Sequence, residues 1–321
     1  MDQFPMVTLE GVDGSQIPLL AMGDLHGSIW LRKGAKGLDM PPWDVQADEY
    51  PARDGEFPRA QRALAREIFL PLTLVGDSRP ELVATKRRLL EALPPSRMAR
   101  RMARLVTAEY DEADTPEPQR EIEVYYKSGL EGDEDQDVAG LRHLKYGLIL
   151  RSTDPWFRAR EDTRIDFLTF EEQVPFFPPE GEEFVSVDGL TGGFKVSPAP
   201  TFVSETSFFY PGSVSVKPTW HLQGPINEPF ALVRAETNYS PEESLVIDGL
   251  QLEAGETATL VTTPGQVKLS TSAGVDITWS ALGTNPRFWY IDPGVNTVSI
   301  DGLTTEPGAA SFTYRTKYLG M

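Results

Sequence analysis

From Tyr210 to Tyr314 the chain is a succession of short β-prone runs: Ser213 to Lys217, Phe230 to Ala235, Ser244 to Ile247, Thr257 to Thr262, Val267 to Thr271, Phe288 to Ile291, Thr297 to Ile300 and Ala310 to Tyr314. Gly, Pro, Asn and Asp separate them, and they recur roughly every ten to fifteen residues without a helical period. This pattern constrains the fold more than any other feature of the chain. Strands this short, joined by turns, bury one face only by packing two antiparallel sheets together, so the second half reads as a β-sandwich.

The first half is also β-rich. Between Val7 and Val45, partly apolar segments alternate with Gly11-Val12-Asp13-Gly14, Gly34, Gly37 and Pro41-Pro42, the punctuation of strands and turns. Ile68, Leu70, Leu72 and Leu74 alternate at period two, which predicts a strand over 65–75 with one face on a core. Pro71 on its opposite face predicts an edge position. One helix is expected, over about 78–93. Ser78 is its N-cap, Pro80 and Glu81 lie in the first turn, Leu82, Val83, Leu89, Leu90 and Leu93 share a face, and Pro94-Pro95 stops it. Arg104 to Tyr110 and Glu121 to Tyr126 read as a hairpin, Glu131 to Asp137 as an acidic loop, and Leu144 to Leu150 as a further strand. Thr163 to Glu183 reads as a loop-rich approach to the sandwich.

Charge and composition exclude several functions. With 30 basic against 48 acidic residues the net charge is −18, so nucleic acid, whose affinity comes from clustered Lys and Arg, is not an expected partner. The 321 residues contain no cysteine, which removes disulfides, thiolate nucleophiles and Cys-based zinc sites. Met1 to Gly11 shows no basic-then-apolar targeting pattern and no stretch approaches ~20 apolar residues, so no membrane partner is expected.

The order of three segments carries a resemblance: Asp154-Pro155-Trp156-Phe157, then Gly255-Glu256-Thr257-Ala258-Thr259-Leu260 with Pro264-Gly265, then Phe288-Trp289-Tyr290-Ile291-Asp292-Pro293-Gly294-Val295-Asn296. Each is turn chemistry common to β proteins; in this order and spacing they resemble the phage distal tail protein family. The resemblance implies a mainly β protein of two domains. The first, 1–153, would be a ring-forming, β-barrel-like domain with one helix. The second, 154–321, would be a galectin-like antiparallel β-sandwich, with the last strand free to return to the first domain. It further implies a non-enzymatic virion component without cofactor, a homohexameric ring at the distal tail tip of a long-tailed phage, assembled in the host cytoplasm. Its partners would be other copies of itself, the tail tube protein, the tape measure protein, the tail-tip hub protein and receptor-binding proteins. The alternative is a carbohydrate-binding module of the tail tip that contacts the host surface.

Several signals suggest other chemistry. Gly23-Asp24-Leu25-His26-Gly27 resembles the opening motif of metallophosphoesterases, but the further histidine segments such an enzyme needs are missing, since only His143 and His221 remain. Asp133, Asp135 and Asp137 alternate like the start of a calcium loop, yet Val138 and Leu144 stand where an EF-hand needs Gly and Glu. A looser calcium site is the alternative to a solvated loop there. Arg97, Arg100, Arg101 and Arg104 form a basic cluster in an acidic chain and are the candidate subunit interface. Trp220-His221 and Trp279 are candidates for stacking on a sugar, set against the commoner buried tryptophan. No Ser-His-Asp triad or phosphate loop is present.

Overall fold

The computed structural model describes residues 6–21, 29–49, 54–94, 101–109, 118–132, 142–167, 169–170, 201–202, 205–263, 265–283, 285–302 and 310–321. The chain forms two compact units, one of residues 1–161 with 317–321 and the other of residues 162–316.

The first unit is built on β1 (Met6–Glu10), β2 (Gln16–Pro18), β3 (Leu20–Ala21), β4 (Ile29–Leu31), β5 (Trp43–Glu49), β6 (Glu56–Ala63), β7 (Arg66–Val75), α1 (Arg79–Ala92), β8 (Ala103–Ala108), β9 (Arg120–Ser128), β10 (His143–Ser152) and β11 (Phe157–Ala159). One sheet runs in the order β2-β1-β8-β9-β10-β7-β4-β3. Its two ends, β2 and β3, are separated in sequence by Leu19 alone, whose N–H donates to Val7 O at 2.8 Å. The segment 16–21 therefore pairs with β1 through its first half and with β4 through its second, and the sheet nearly closes into a barrel. Alternation places Val7, Leu9, Ile68, Leu70, Leu72, Leu74, Leu105, Ile122, Val124, Leu148 and Leu150 in one core. The helix adds Leu82, Leu89 and Ala92 to that core. Its start has the expected cap: Ser78 Oγ accepts from the Glu81 N–H at 3.4 Å, and Glu81 accepts from the Asp77 N–H at 3.0 Å.

Pro71 does not mark an edge. Strand β7 lies between β10 and β4. The ladder to β4 ends at Leu72 and pairing resumes only at Lys36 with Phe69, so the N–H that proline lacks falls in the gap, where Arg32 N–H still donates to Pro71 O.

In the second unit, β12 (Thr163–Phe167), β16 (Thr219–Gln223), β19 (Thr257–Val261), β20 (Lys268–Thr271) and β22 (Ala310–Tyr314) form a five-stranded sheet in the order β12-β22-β16-β19-β20. Strands β15 (Glu205–Tyr210), β17 (Phe230–Arg234), β18 (Glu243–Ile247) and β21 (Gly294–Asp301) form a four-stranded one in the order β15-β21-β17-β18. A two-residue pair, β13 (Thr169–Phe170) with β14 (Thr201–Phe202), and a one-turn helix, α2 (Thr278–Ala281), complete the unit. All pairings within the two large sheets are antiparallel, and both sheets send side chains into one core, so this unit is a β-sandwich. Aromatics dominate its centre: Trp220 stands 4.9 Å from Phe312, and Trp289 Nε1–H donates to Leu232 O at 2.9 Å.

Two expected strands differ. Residues 213–217 and 288–291 form no strand and meet at the isolated bridge Val216–Ile291. Conversely, Thr163–Phe167 is a full strand rather than a loop, because Ile165 and Phe167 place every second side chain toward the core. The Asp292-to-Asn296 motif is a turn held by Asn296, which accepts from Asp292 N–H at 2.9 Å and donates to the carbonyls of Asp292 and Gly294 at 2.7 and 3.1 Å.

Candidate functional site

The most exposed ordered element of the first unit is the hairpin β5–β6. Its strands pair only with each other, and a two-stranded ribbon is marginal in water unless something packs on it. Register assigns its faces: Trp43, Val45 and Ala47, with Ala63, Gln61 and Pro58 opposite, lie on one side, which ends in the pair Glu49 and Glu56, and Asp44, Gln46 and Asp48, with Arg62, Ala60 and Phe57 opposite, lie on the other. The charged side is self-satisfied, with Arg62 on Asp44 at 2.9 Å and Arg59 on Asp48. The apolar side is open to solvent, Trp43 at 40% and Val45 at 52%. At its base Trp43 packs against Trp156 with ring centroids 5.9 Å apart, and Leu64 N–H donates to Pro42 O at 2.8 Å.

Below the hairpin is a fully buried cation. Arg66, the first residue of β7, donates to Gly37 O at 3.1 Å, to Asp39 O at 2.7 Å and to Leu319 O, and lies 5.1 Å from the Phe157 ring centre. Desolvation lowers its pKa to about 10 although Asp39 opposes the shift. Gly37 must be glycine here: its φ is +81° and an added Cβ would lie 2.0 Å from Glu67 O. The chain end is gripped by these contacts. Strand β23 (Lys317–Tyr318) pairs with β11, Arg120 covers the Tyr318 ring at 4.1 Å, and Met321 N–H donates to Leu38 O at 3.0 Å.

The candidate residues read from the sequence fall in several places. Arg97 and Arg100 lie outside the described residues. Arg101 is exposed, while Arg104 is turned toward its own sheet, 3.6 Å from Glu121 and 3.9 Å from Glu123. Asp133, Asp135, Asp137, Asp24 and His26 also lie outside the described residues. Among the described residues no group of three His, Asp or Glu is placed to hold a metal ion. A surface pocket of about 290 Å³ beside β1 is lined by Glu10, Gln16, Gln119 and Arg160. Its groups satisfy one another, Arg160 on Glu10 at 2.6 Å and Gln16 on Glu10 at 3.3 Å.

In the second unit Trp220 is buried in the core, whereas Trp279 on α2 is 83% exposed. His221 lies on the other face of its strand within reach of Thr313, and burial, then the Arg164 charge, lowers its pKa. The buried Arg234 holds Asp292 at 3.1 Å and Glu243 at 3.0 Å, and Thr237 donates to the same Asp292 at 2.8 Å. This network ties the 235–242 loop to the Asp292 turn. The hairpin was not among the sequence expectations. The available signal was Asp54-Gly55 following the alternation of Trp43, Val45 and Ala47 with Asp44, Gln46 and Asp48.

No protein-family model matches the sequence, and no curated protein matches it either. Among solved structures, the chain superposes on the SPP1 Dit (gp 19.1) protein, a paradigm of the hub adsorption apparatus in phages infecting Gram-positive hosts. The TM-score is 0.58 at 14% identity, over 98% of this chain and 99% of that one. The phage P2 baseplate in its activated conformation with calcium gives a TM-score of 0.43 at 10% identity, over 98% of each chain. The SPP1 comparison establishes a shared fold along essentially the whole length.

Proposed function

We propose that this chain is a structural component of the tail tip of a long-tailed phage, working as a homo-oligomeric ring of about six copies that joins the tail tube to the tip hub and receptor-binding proteins. The observation that carries the reading is the β5–β6 hairpin, an arm whose Val45 side stays exposed, with Trp156 the residue that packs on Trp43 among the described residues. An arm of that kind is stabilised by docking on a neighbour, and repeated identical docking through one rotation closes a ring. The shared fold with the SPP1 Dit protein, a part of a hub adsorption apparatus, supports the same assignment. Tail tube, tape measure, hub and receptor-binding proteins are the partners of this role, the virion tail tip its location, and the host cytoplasm the place of assembly. Catalysis has no part in it.

Domains follow the same division of labour: the unit of residues 1–161 with 317–321 makes the ring, and the sandwich of residues 162–316 is the second module. Arg97, Arg100 and Arg101 stay candidate interface groups, while the intrachain pairing of Arg104 makes it the weakest of the four. Negative-stain electron microscopy of the purified full-length protein tests the reading. Rings with a central opening are expected, and uniform particles of single-copy size overturn it.

A further inference from the structure

A closed head-to-tail ring needs two different patches on each chain, one meeting the other on the next copy. Among the described residues, the first unit exposes six large apolar side chains: Met40, Trp43, Val45, Phe57 and Leu64 on the hairpin and its flanks, and Leu90 on α1. The hairpin is one patch, and the helix is the other that this unit offers. Val83, Arg87 and Leu90 follow at spacings of four and three and so align along one side of α1. Leu90 is 41% exposed there, and Arg87 makes no ion pair among the described residues.

Charge agrees with this pairing. On the hairpin, Asp44 and Asp48 are neutralised by Arg62 and Arg59, and the stretch from Glu49 to Glu56 carries Glu49, Asp54 and Glu56 against Arg53, which makes the far end acidic by a net charge of −2. The helix carries Arg79, Lys86, Arg87 and Arg88 against Glu81 and Glu91. The second unit exposes apolar residues too, but it holds 20 acidic and 7 basic residues and repels an acidic tip.

Resting on the ring reading above, we infer that the hairpin of one copy lies across α1 of the next, its Val45 face on Leu90 and Val83 and its acidic end toward Arg87. Each copy then gives one arm and receives one, and neither patch stays open once the ring closes.

The chain has no cysteine, so an introduced thiol is the only one present. Full-length Val45→Cys and Leu90→Cys are prepared singly, mixed in equal amounts and treated with a short bifunctional thiol cross-linker, while light scattering reports the mass of the same samples. Cross-linked dimers are expected in the mixture and in neither variant alone. Adding Arg87→Glu lowers their yield about tenfold, the equivalent of a single lost charge contact, and Glu49→Arg with Glu56→Arg restores it. An oligomer that gives no mixed cross-link, or Val45→Cys linking to itself, overturns the docking surface and leaves the ring standing. A single-copy mass at every concentration overturns both.

Discussion

Replacing Arg66 with alanine removes a cation that three parts of the first unit share: the 37–39 turn, the Phe157 ring and the returning chain end at Leu319. Hydrogen bonds to a charged group contribute about 1.5–3 kcal/mol each, so three amount to roughly 4–9 kcal/mol before desolvation. Burying a guanidinium costs several kcal/mol, and the drop of its pKa to about 10 reflects that cost. The net loss is about 3 kcal/mol, since three buried carbonyls are left without their donor. For a unit of this size that corresponds to a fall in Tm of about 6–12 °C.

Calorimetry of the full-length protein is the assay, with the transition of the first unit moving and that of the second staying in place. Arg66→Lys recovers only part of the loss, because one ammonium cannot reach all three carbonyls in the geometry of the planar fork. The sign of the pH dependence is fixed as well. The folded pKa is the lower one, so the unfolded chain holds the extra proton once pH passes about 10, and stability from this group rises with pH there. Between about pH 6 and 9 Arg66 is charged in both states, and the difference between wild type and variant stays flat. A loss below about 1 kcal/mol at neutral pH refutes the view that this cation holds the chain end in the first unit.

Asp292→Asn removes one of the two carboxylates that hold the buried Arg234 and lowers the stability of the second unit by about 2 kcal/mol in urea unfolding, the charge of Arg234 then resting on Glu243 alone. Burial depresses the pKa of His221, so the unfolded chain takes up protons first on acidification; stability present above about pH 6.5 is lost as pH falls through the folded value. His221→Gln flattens that slope in thermal melts over the same window. Trp279→Ala changes stability by less than about 0.5 kcal/mol, because the ring is 83% exposed, and a larger loss shows that something covers it.

Elements with a complete local signature were legible from the sequence. The helix was readable because Ser78, Pro80 and Glu81 mark its start and Leu82 and Leu89 its buried face, although Leu90, expected on that face, is exposed. Strands β17, β18, β19, β20 and β22 were readable because β-branched and apolar residues alternate between turn residues. Failures came where tertiary context overrides a local rule. Pro71 looked like an edge residue because a sequence does not show that the neighbouring ladder skips Leu70 and Pro71. Phe288 to Ile291 is rich in strand formers, yet the buried Trp289 and the single bridge at Ile291 hold it as an irregular segment. Arg66 in the sequence is one more surface-type residue, and only the fold brings Gly37, Asp39 and Leu319 to it. The hairpin escapes the sequence reading for the opposite reason: its alternation is present, but apart from Trp43 on Trp156 its apolar side stays exposed, so core-seeking rules give it no weight.

The central claim is that identical copies of this chain close on one another, and the mass of the purified full-length protein by light scattering, across concentration and salt, tests it most directly. The account predicts a plateau at about six copies of the 35.6 kDa chain, lost in a variant carrying Val45→Asp on the hairpin while the melting profile stays that of the wild type. A wild-type mass of one copy at every condition contradicts it.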